Sequence, residues 1–234
     1  MNMTTTGMNI EQARHNMIEQ QIRTWEVLDQ SVLDLLEVVK REQFVPAEFR
    51  LLAFIDMEIP LKIDAGEGAI YSSGESMFAP KVEARLLQEL AIRPHERVLE
   101  VGTGSGYMAA LAAHKAQHVL SIEINERLHR FGRSNLARAG VRNVSAELGD
   151  GARGWAARAP YDVIIMSGAL PALPPELLAQ LKIGGRLAAI VGAAPVMTAQ
   201  IVTRVTENSY EPLGLFETNV KVLRNAWQPS TFRF

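Results

Sequence analysis

The chain has 234 residues, of which 47% are hydrophobic and 21% charged, so the sequence predicts a packed globular core and excludes wholesale disorder. Its 24 Lys and Arg residues nearly balance 26 Asp and Glu residues, and a net charge of -2 provides no field that would recruit nucleic acid or anionic membranes. Cysteine is absent, which excludes disulfides, thiolate nucleophiles and cysteine-ligated metal sites.

The N-terminal residues lack the apolar stretch of a secretory signal peptide. The longest apolar run, residues 187–197, includes glycine and proline and is too short to cross a bilayer. We therefore expect a cytoplasmic protein with neither a membrane nor a nucleic acid as partner.

The first part of the chain predicts helices followed by a long loop. Apolar side chains recur at helical spacing over residues 10–22 and again over residues 32–39, where Asp29 is a candidate helix cap. Residues 56–80 are rich in Gly, Ser and Pro and predict a loop with room for one short hairpin. Loops of that length are often functional.

After residue 80 the pattern alternates between strands and helices. Strand-like runs occupy residues 97–101, 118–124, 144–148, 161–167 and 185–191, and helical patterns occupy residues 82–90, 106–115, 126–139 and 175–181. This alternation predicts a parallel sheet with helices on both faces. Two final runs, residues 201–205 and 213–220, predict an antiparallel edge. Ligands bind such sheets at the carboxyl ends of the strands.

The strongest local signal is RVLEVGTGSGY, residues 97–107, in which an apolar strand and Glu100 precede three alternating glycines and a helix. Glycines permit a tight turn and a close approach to a ligand, and the start of a helix presents unpaired N–H groups. The dinucleotide fingerprint has a small residue at the third glycine position, where this chain has Tyr107. The motif therefore predicts a polar ligand, and its G-x-G-x-G spacing differs from the dinucleotide fingerprint.

With Glu100 ahead of the first glycine, the segment resembles the first motif of class I S-adenosylmethionine-dependent methyltransferases. The resemblance implies that this loop holds the methionine part of the cofactor, through Glu100, Gly102, Thr103, Gly104, Gly106 and Tyr107. The side chain of Tyr107 can instead pack in the core. The glycines can also form only a tight strand-to-helix turn.

Two further acids follow the next two predicted strands. Glu123 comes 21 residues after Gly102, where a carboxylate can accept hydrogen bonds from both ribose hydroxyls. Asp150 resembles the acid that these methyltransferases place beside the adenine amino group, and Gly151 allows the base to approach. Either acid can also be only a helix cap or a solvated strand end.

Six segments are similar in order and spacing to those of protein-L-isoaspartate (D-aspartate) O-methyltransferases: MIEQQIR, VVKREQFVP, AFIDMEIPL, LEVGTGSGYMAA, GDGARGW and LKIGGRLAAIVG. The resemblance covers nearly the whole chain. It implies an α/β fold with a doubly wound, mostly parallel seven-stranded Rossmann-like sheet, an antiparallel edge and an N-terminal helical subdomain. It also implies methyl transfer from S-adenosylmethionine to the carboxylate of an L-isoaspartyl residue in damaged protein, the start of protein repair.

On this resemblance, residues 1–80 form a helical lid and an acceptor-side loop, packed into one domain with a cofactor-binding core at residues 81–234. The acceptor-side loop departs from the family pattern, which has Thr-Ile-Ser-Gln-Pro with the serine contacting the reacting carboxylate. Here the segment is SMFAP, and Phe78 stands at the position of the serine. Ser72, Ser73 or Ser76 could reach into the site instead.

Because of Phe78, two alternatives stay open beside the repair enzyme: a methyltransferase of the same fold with a different acceptor, and a non-catalytic cofactor-binding homologue. No metal site is expected, because His114 and His118 have the spacing of metal ligands but lack a third ligand. The aromatic tail, residues 224–234, can cover a core edge or a partner subunit, which leaves a homodimer possible.

Overall fold

The computed structural model describes residues 9–64, 70–72 and 74–229. The helices are α1 (Ile10–Met17), α2 (Gln30–Val38), α3 (Pro80–Leu90), α4 (Tyr107–Lys115), α5 (Glu126–Arg138) and α6 (Pro175–Leu178), with a π-helical turn at Ile18–Ile22 and 3-10 segments at Arg23–Trp25, Arg41–Gln43, Ala47–Phe54 and Ala156–Arg158. None of the helices in these ranges is long and apolar enough to cross a membrane. The predicted cap of the second helix is confirmed, since Asp29 Oδ1 accepts from the Ser31 amide at 2.8 Å.

The strands are β1 (Ile59–Pro60), β2 (Ile63–Asp64), β3 (Ile70–Tyr71), β4 (Ser76–Met77), β5 (Arg97–Val101), β6 (His118–Glu123), β7 (Val144–Leu148), β8 (Tyr161–Leu170), β9 (Leu181–Ala193), β10 (Val196–Arg204) and β11 (Tyr210–Thr218). The last seven form one sheet in the order β11-β10-β9-β8-β5-β6-β7, in which only β10 runs against the others. The predicted mostly parallel sheet with an antiparallel edge is confirmed.

Alternating residues of the central strands enter two separate hydrophobic clusters, so both faces of the sheet are covered. In β8, Val163 and Ile165 belong to the cluster shared with α3, α4, α5 and the N-terminal helices, whereas Ile164 and Met166 belong to the cluster that includes Leu177 of α6. Burial on both faces explains why these strands are nearly continuous apolar runs. The strand order reverses at β5, between β6 and β8, which is where ligands bind in such sheets.

The N-terminal segment packs against the sheet helices rather than standing apart. The rings of Phe44 and Tyr107 lie 5.4 Å apart, and the Asn135 side chain in α5 donates to the Phe44 carbonyl at 3.3 Å. The predicted long loop at residues 56–80 includes two short antiparallel strand pairs, β1 with β4 and β2 with β3. This packing brings residues 76–78 to the edge of the sheet where β5 ends.

Several predicted boundaries in the second half are wrong, including those of β8, which extends to Leu170, and β9, which spans Leu181–Ala193. The helix predicted for residues 175–181 ends at Leu178, because the Gln180 side chain donates to the carbonyls of Arg153 and Glu176 and β9 begins at Leu181. Strand β10 begins at residue 196 and β11 at residue 210, earlier than predicted. Both belong to the antiparallel edge, where half-exposed residues interrupt the apolar pattern.

Arg186 ties the end of α3 to the sheet and should be important for stability. Its guanidinium donates to the Leu90 and Ala91 carbonyls at 3.0 Å and to Glu96 Oε1 at 2.6 Å, with the side chain 16% exposed. Arg186→Met leaves a buried carboxylate and helix carbonyls without their donor, so urea unfolding should show a loss of about 2 to 4 kcal/mol.

The matched control is Arg130→Met, which breaks an exposed pair with Glu126 inside α5. Exposed pairs one helical turn apart contribute about 0.3 to 0.5 kcal/mol, so this variant should unfold almost as the wild type does. Equal losses in the two variants would contradict the importance of the Arg186 contacts.

Candidate functional site

A cavity of about 730 Å³, counting the space at its mouth, lies at the carboxyl ends of β5, β6 and β7. We call it the outer cavity. Its lining includes predicted site residues from all three strand ends, namely Gly102, Gly104, Glu123, Asp150 and Gly151, together with Ser76 and Phe78 from the acceptor-side loop. The structure thus brings together residues that are up to 75 positions apart in the chain.

The turn after β5 depends on glycine at two points. Gly104 has φ +50° and points its amide at Glu123 Oε2, 2.9 Å away. Gly106 has φ +84° and is the N-cap of α4, and a Cβ there would lie 3.0 Å from the Gly132 carbonyl oxygen in α5. Larger residues would strain the backbone and push the two helices apart. Thr103 is anchored by its hydroxyl, 2.5 Å from that of Ser121.

Glu123 ends β6 with both carboxylate oxygens facing backbone amides. Oε2 accepts from Gly104 and Oε1 from Asn125, each at 2.9 Å. Burial raises the pKa of Glu123, and these two amides oppose that rise. Each oxygen has a second lone pair, so the carboxylate can still accept hydrogen bonds from a ligand in the outer cavity.

Asp150 lies on the opposite rim and is exposed. Its Oδ1 accepts from the Ala152 amide at 3.0 Å, and its Oδ2 accepts from the Asn225 side chain at 2.8 Å. Gly151 is buried beside it, where a Cβ would lie 2.8 Å from a methyl group of Val101. Only glycine therefore leaves this part of the cavity floor open.

Residues 221–225, which follow β11, join the two rims of the outer cavity, and we call them the C-terminal strap. The strap is hydrogen-bonded to Ala169 of β8 on both sides, through the Lys221 carbonyl and the Leu223 amide, each at 2.9 Å. Arg224 Nε donates to Glu75 Oε1 at 2.9 Å, and Asn225 donates to Asp150. The sequence analysis missed the strap because its residues show no regular period.

An inner cavity of about 310 Å³ adjoins the outer one. Both share Leu61, Ser76, Phe78, Gly102, Gly104 and Ser167 in their linings, and the inner cavity adds Glu83, Glu100, Thr103, Ser105 and Met108 among others. The acceptor-side loop thus separates a larger chamber from a smaller, more polar one.

Glu100 is buried at the inner cavity and held by two serines that sequence reasoning missed. Ser121 and Ser167 both donate to its carboxylate, the latter at 2.8 Å. Burial raises the pKa of Glu100 to about 7 in spite of these donors. The signal was present in the sequence as a serine in each of the two neighbouring strands, but only the sheet order brings both beside Glu100.

The acceptor-side loop places Phe78 and Ser76 at both cavities. Phe78 is 7% exposed, and its carbonyl accepts from Arg41 Nη2 at 2.7 Å. Ser76 Oγ donates to Glu58 Oε2 at 2.5 Å, so its proton is already used. Of the other candidate serines, Ser72 is exposed, and Ser73 lies outside the described residues.

Glu83 in α3 lines the inner cavity although the sequence analysis did not single it out. Its side chain is almost fully buried, and Oε2 lies 3.6 Å from Arg41 Nε. Burial raises the pKa of Glu83 to about 8, with Arg41 opposing the shift. The sequence signal for Glu83 was an acidic residue on the buried face of an amphipathic helix, where charged side chains are rare.

Tyr107, predicted to hold the cofactor or to pack, is directed into the core. It contacts Phe44, lies 5.9 Å below the Arg41 guanidinium, and is not among the described residues that line either cavity. His118 faces Ser145, with Nε2 3.1 Å from the hydroxyl. Within the described ranges, no group of three or more His, Asp or Glu side chains could hold a metal ion.

Comparison with known proteins gives one consistent family. The family model for protein-L-isoaspartate(D-aspartate) O-methyltransferase matches residues 12–216. A protein-L-isoaspartate O-methyltransferase from Protochlamydia amoebophila is 37% identical over 92% of this chain and 99% of its own. Another, from Methanoculleus marisnigri, is 41% identical over 76% of this chain and 77% of its own.

Two solved structures share the fold. A protein-L-isoaspartate O-methyltransferase superposes with a TM-score of 0.73 at 23% identity, over 90% of this chain and 65% of that one. A Plasmodium falciparum protein assigned to the same enzyme type, solved in complex with S-adenosyl-L-homocysteine, superposes with a TM-score of 0.72 at 19% identity, over 90% of this chain and 98% of that one.

Glu100 should make the stability of the protein depend on pH. The unfolded chain releases this proton near the ordinary glutamate pKa, whereas burial raises the pKa to about 7 in the folded state. Between those values the folded state binds more protons, so the free energy of unfolding falls as pH rises.

In the wild type, Glu100 should lower the free energy of unfolding by roughly 3 kcal/mol between about pH 4 and about pH 8. Glu100→Gln should abolish this part of the decrease. Urea unfolding of wild type and variant across this range measures the difference. The same pH slope in both proteins would show that Glu100 titrates as an ordinary carboxyl group.

Proposed function

The chain belongs to the protein-L-isoaspartate(D-aspartate) O-methyltransferase family, and from this premise we propose how its two cavities carry out the reaction of that family. The reaction is methyl transfer from S-adenosylmethionine to the carboxylate of an L-isoaspartyl residue in damaged protein. The predicted family, fold, enzyme class and cofactor are confirmed by these relatives. They do not favour a different acceptor or a non-catalytic homologue.

The observation that carries the proposal is the convergence of the glycine turn, Glu123 and Asp150 on the outer cavity. The outer cavity lies where the strand order reverses, and its polar groups are few and separated, as in sites that orient a bound molecule. A nucleoside with a charged amino-acid tail fits this distribution of groups.

We propose one role for each part of the outer cavity. The turn formed by Gly102, Thr103, Gly104 and Gly106 holds the methionine part of the cofactor, beside the buried Glu100. Glu123 accepts hydrogen bonds from the ribose hydroxyls through its spare lone pairs. Asp150 accepts from the adenine amino group, and Gly151 leaves room for the flat base.

When bound, the cofactor would supply an electrophilic methyl group, which an acceptor carboxylate oxygen would take while the electron pair of the broken bond stays on sulfur. The acceptor carboxyl is ionised at neutral pH, so the site needs no general base. What the chain must supply is position, holding the carboxylate oxygen in line with the bond that breaks. The inner cavity is the space in which this alignment can occur.

For the acceptor side, we propose residues 1–80 as the helical lid and acceptor-side loop, and residues 81–234 as the cofactor-binding core, packed as one domain. The support is that residues 76 and 78 line both cavities and that the Arg41 contact fixes the loop. Action on many damaged proteins in the cytoplasm, the absence of a nucleic-acid partner and a homodimer stay predictions.

Loss of either acid should weaken cofactor binding. Hydrogen bonds to a charged group contribute about 1.5 to 3 kcal/mol, so Glu123→Ala and Asp150→Ala should each raise the Kd for S-adenosylhomocysteine about 10- to 100-fold. Isothermal titration calorimetry measures this directly. Glu147→Ala is the matched control, because this acid in β7 pairs with Arg158 away from the cavities and its loss should leave the Kd unchanged. Unchanged affinity in both site variants would refute the assignment.

The reaction itself is tested with a peptide that contains an L-isoaspartyl residue and with the same sequence containing ordinary aspartate. Mass spectrometry should detect a methyl ester only on the isoaspartyl peptide, together with one S-adenosylhomocysteine for each ester. Equal methylation of both peptides, or of neither, would contradict the proposed function.

A further inference from the structure

The inner cavity has few side-chain groups that could donate a hydrogen bond to a bound carboxylate. Phe78 has none, the Ser76 proton is used by Glu58, and the Ser167 proton is used by Glu100. The Thr103 hydroxyl is engaged with Ser121. Glu100 accepts the protons of two serines, so two candidate donors are left in the described lining, Glu83 and Ser105.

Ser105 is the weaker of these two candidates. Its hydroxyl oxygen accepts from the Tyr107 amide at 3.2 Å, which is a capping contact within the glycine turn. Its carbonyl accepts from the Asn135 side chain at 2.9 Å. Both contacts use acceptor atoms of Ser105 and give it a role in the turn, and its hydroxyl proton is the competing donor that Ser105→Ala tests below.

Among the described residues, Glu83 forms an ion pair only with Arg41, and it makes no short hydrogen bond. The side chain is 3% exposed, and Oε2 is buried without a hydrogen-bond partner. Arg41 Nε lies 3.6 Å away, and it has no hydrogen-bond partner either. The two terminal nitrogens of Arg41 instead donate to the carbonyls of Ala53 at 3.1 Å and Phe78 at 2.7 Å.

Burial of the Glu83 side chain favours the neutral form of its carboxyl group. It is removed from water at a cavity that Phe78 also lines, and Glu100 in β5 adds a repelling negative charge when ionised. Arg41 opposes these effects, and Tyr107 of α4 lies in the same cluster. Burial dominates and raises the pKa of Glu83 to about 8. An approaching acceptor carboxylate would favour the neutral form further.

We propose that Glu83, as a neutral carboxylic acid, donates a hydrogen bond to the acceptor carboxylate in the inner cavity and thereby aligns it for methyl transfer. A carboxyl group kept neutral by an apolar site is an established kind of hydrogen-bond donor. Its bond to a carboxylate is short and about twice as strong as a neutral one. The proton stays on Glu83 throughout. This inference rests on the proposed function.

The substitutions Glu83→Gln and Glu83→Leu test whether Glu83 acts as a hydrogen-bond donor or through its negative charge. Gln keeps an N–H donor of similar shape, whereas Leu fills the space without one. Relative to wild type, Glu83→Leu should lower kcat/KM for the isoaspartyl peptide about 10- to 100-fold, and Glu83→Gln should recover most of that loss. The Kd for S-adenosylhomocysteine should be the same in all three proteins, because Glu83 is absent from the described lining of the outer cavity.

The pH profile supplies the second readout. Wild-type kcat/KM should fall as pH rises through about 8, where the donor proton is lost. An amide does not titrate, so Glu83→Gln should lack this decline while keeping any decline that comes from Glu100. Thermal unfolding of each variant shows that the folded protein is being compared.

Four results would overturn the inference. Activity in Glu83→Gln as low as in Glu83→Leu would mean that the negative charge of Glu83, not its proton, is needed. Full activity in Glu83→Leu would mean that the acceptor does not use Glu83. A larger loss in Ser105→Ala than in Glu83→Leu would assign the donor to Ser105. A wild-type protein that binds cofactor but methylates no isoaspartyl peptide would refute the proposed function, and this inference with it.

Discussion

The turn between β5 and α4 is the constraint on which the rest of the site depends. Its Gly104 amide is hydrogen-bonded to Glu123, so the end of β5 fixes the end of β6. Its Gly106 permits α4 and α5 to approach closely, and that packing supports Phe44 and the N-terminal segment on the same face of the sheet. The cofactor side and the acceptor side therefore share one rigid element.

The acids around this turn have different environments and so different chemistry. Asp150 is exposed and Glu123 is held by amides, which suits each of them to accept hydrogen bonds as an anion. Glu100 and Glu83 lie deeper, and burial raises the pKa of both. A cationic cofactor beside Glu100 and a neutral donor at Glu83 would together favour an anionic acceptor between them, without a metal ion or a thiolate.

The sequence was sufficient for the features that repeat locally and insufficient for those made by tertiary contacts. Apolar strands and the glycine turn are local, and they predicted the sheet and the grouping of Glu123 with Asp150. Glu83 and its neighbour Arg41 are 42 residues apart in the chain. Their roles depend on burial, which the spacing of residue types along the sequence does not reveal. The residues of the C-terminal strap show neither helical nor strand periodicity, so the sequence does not predict the strap. Phe78 was noticed as a departure, but its consequence, an apolar wall beside a buried acid, required the structure.

The most direct test of the account is a crystal structure with S-adenosylhomocysteine and an isoaspartyl peptide bound together. We expect adenosine between Glu123 and Asp150 in the outer cavity, sulfur directed toward the inner cavity, and the isoaspartyl carboxylate within hydrogen-bond distance of Glu83. A peptide carboxylate bound elsewhere, with the inner cavity closed by Phe78, would contradict it.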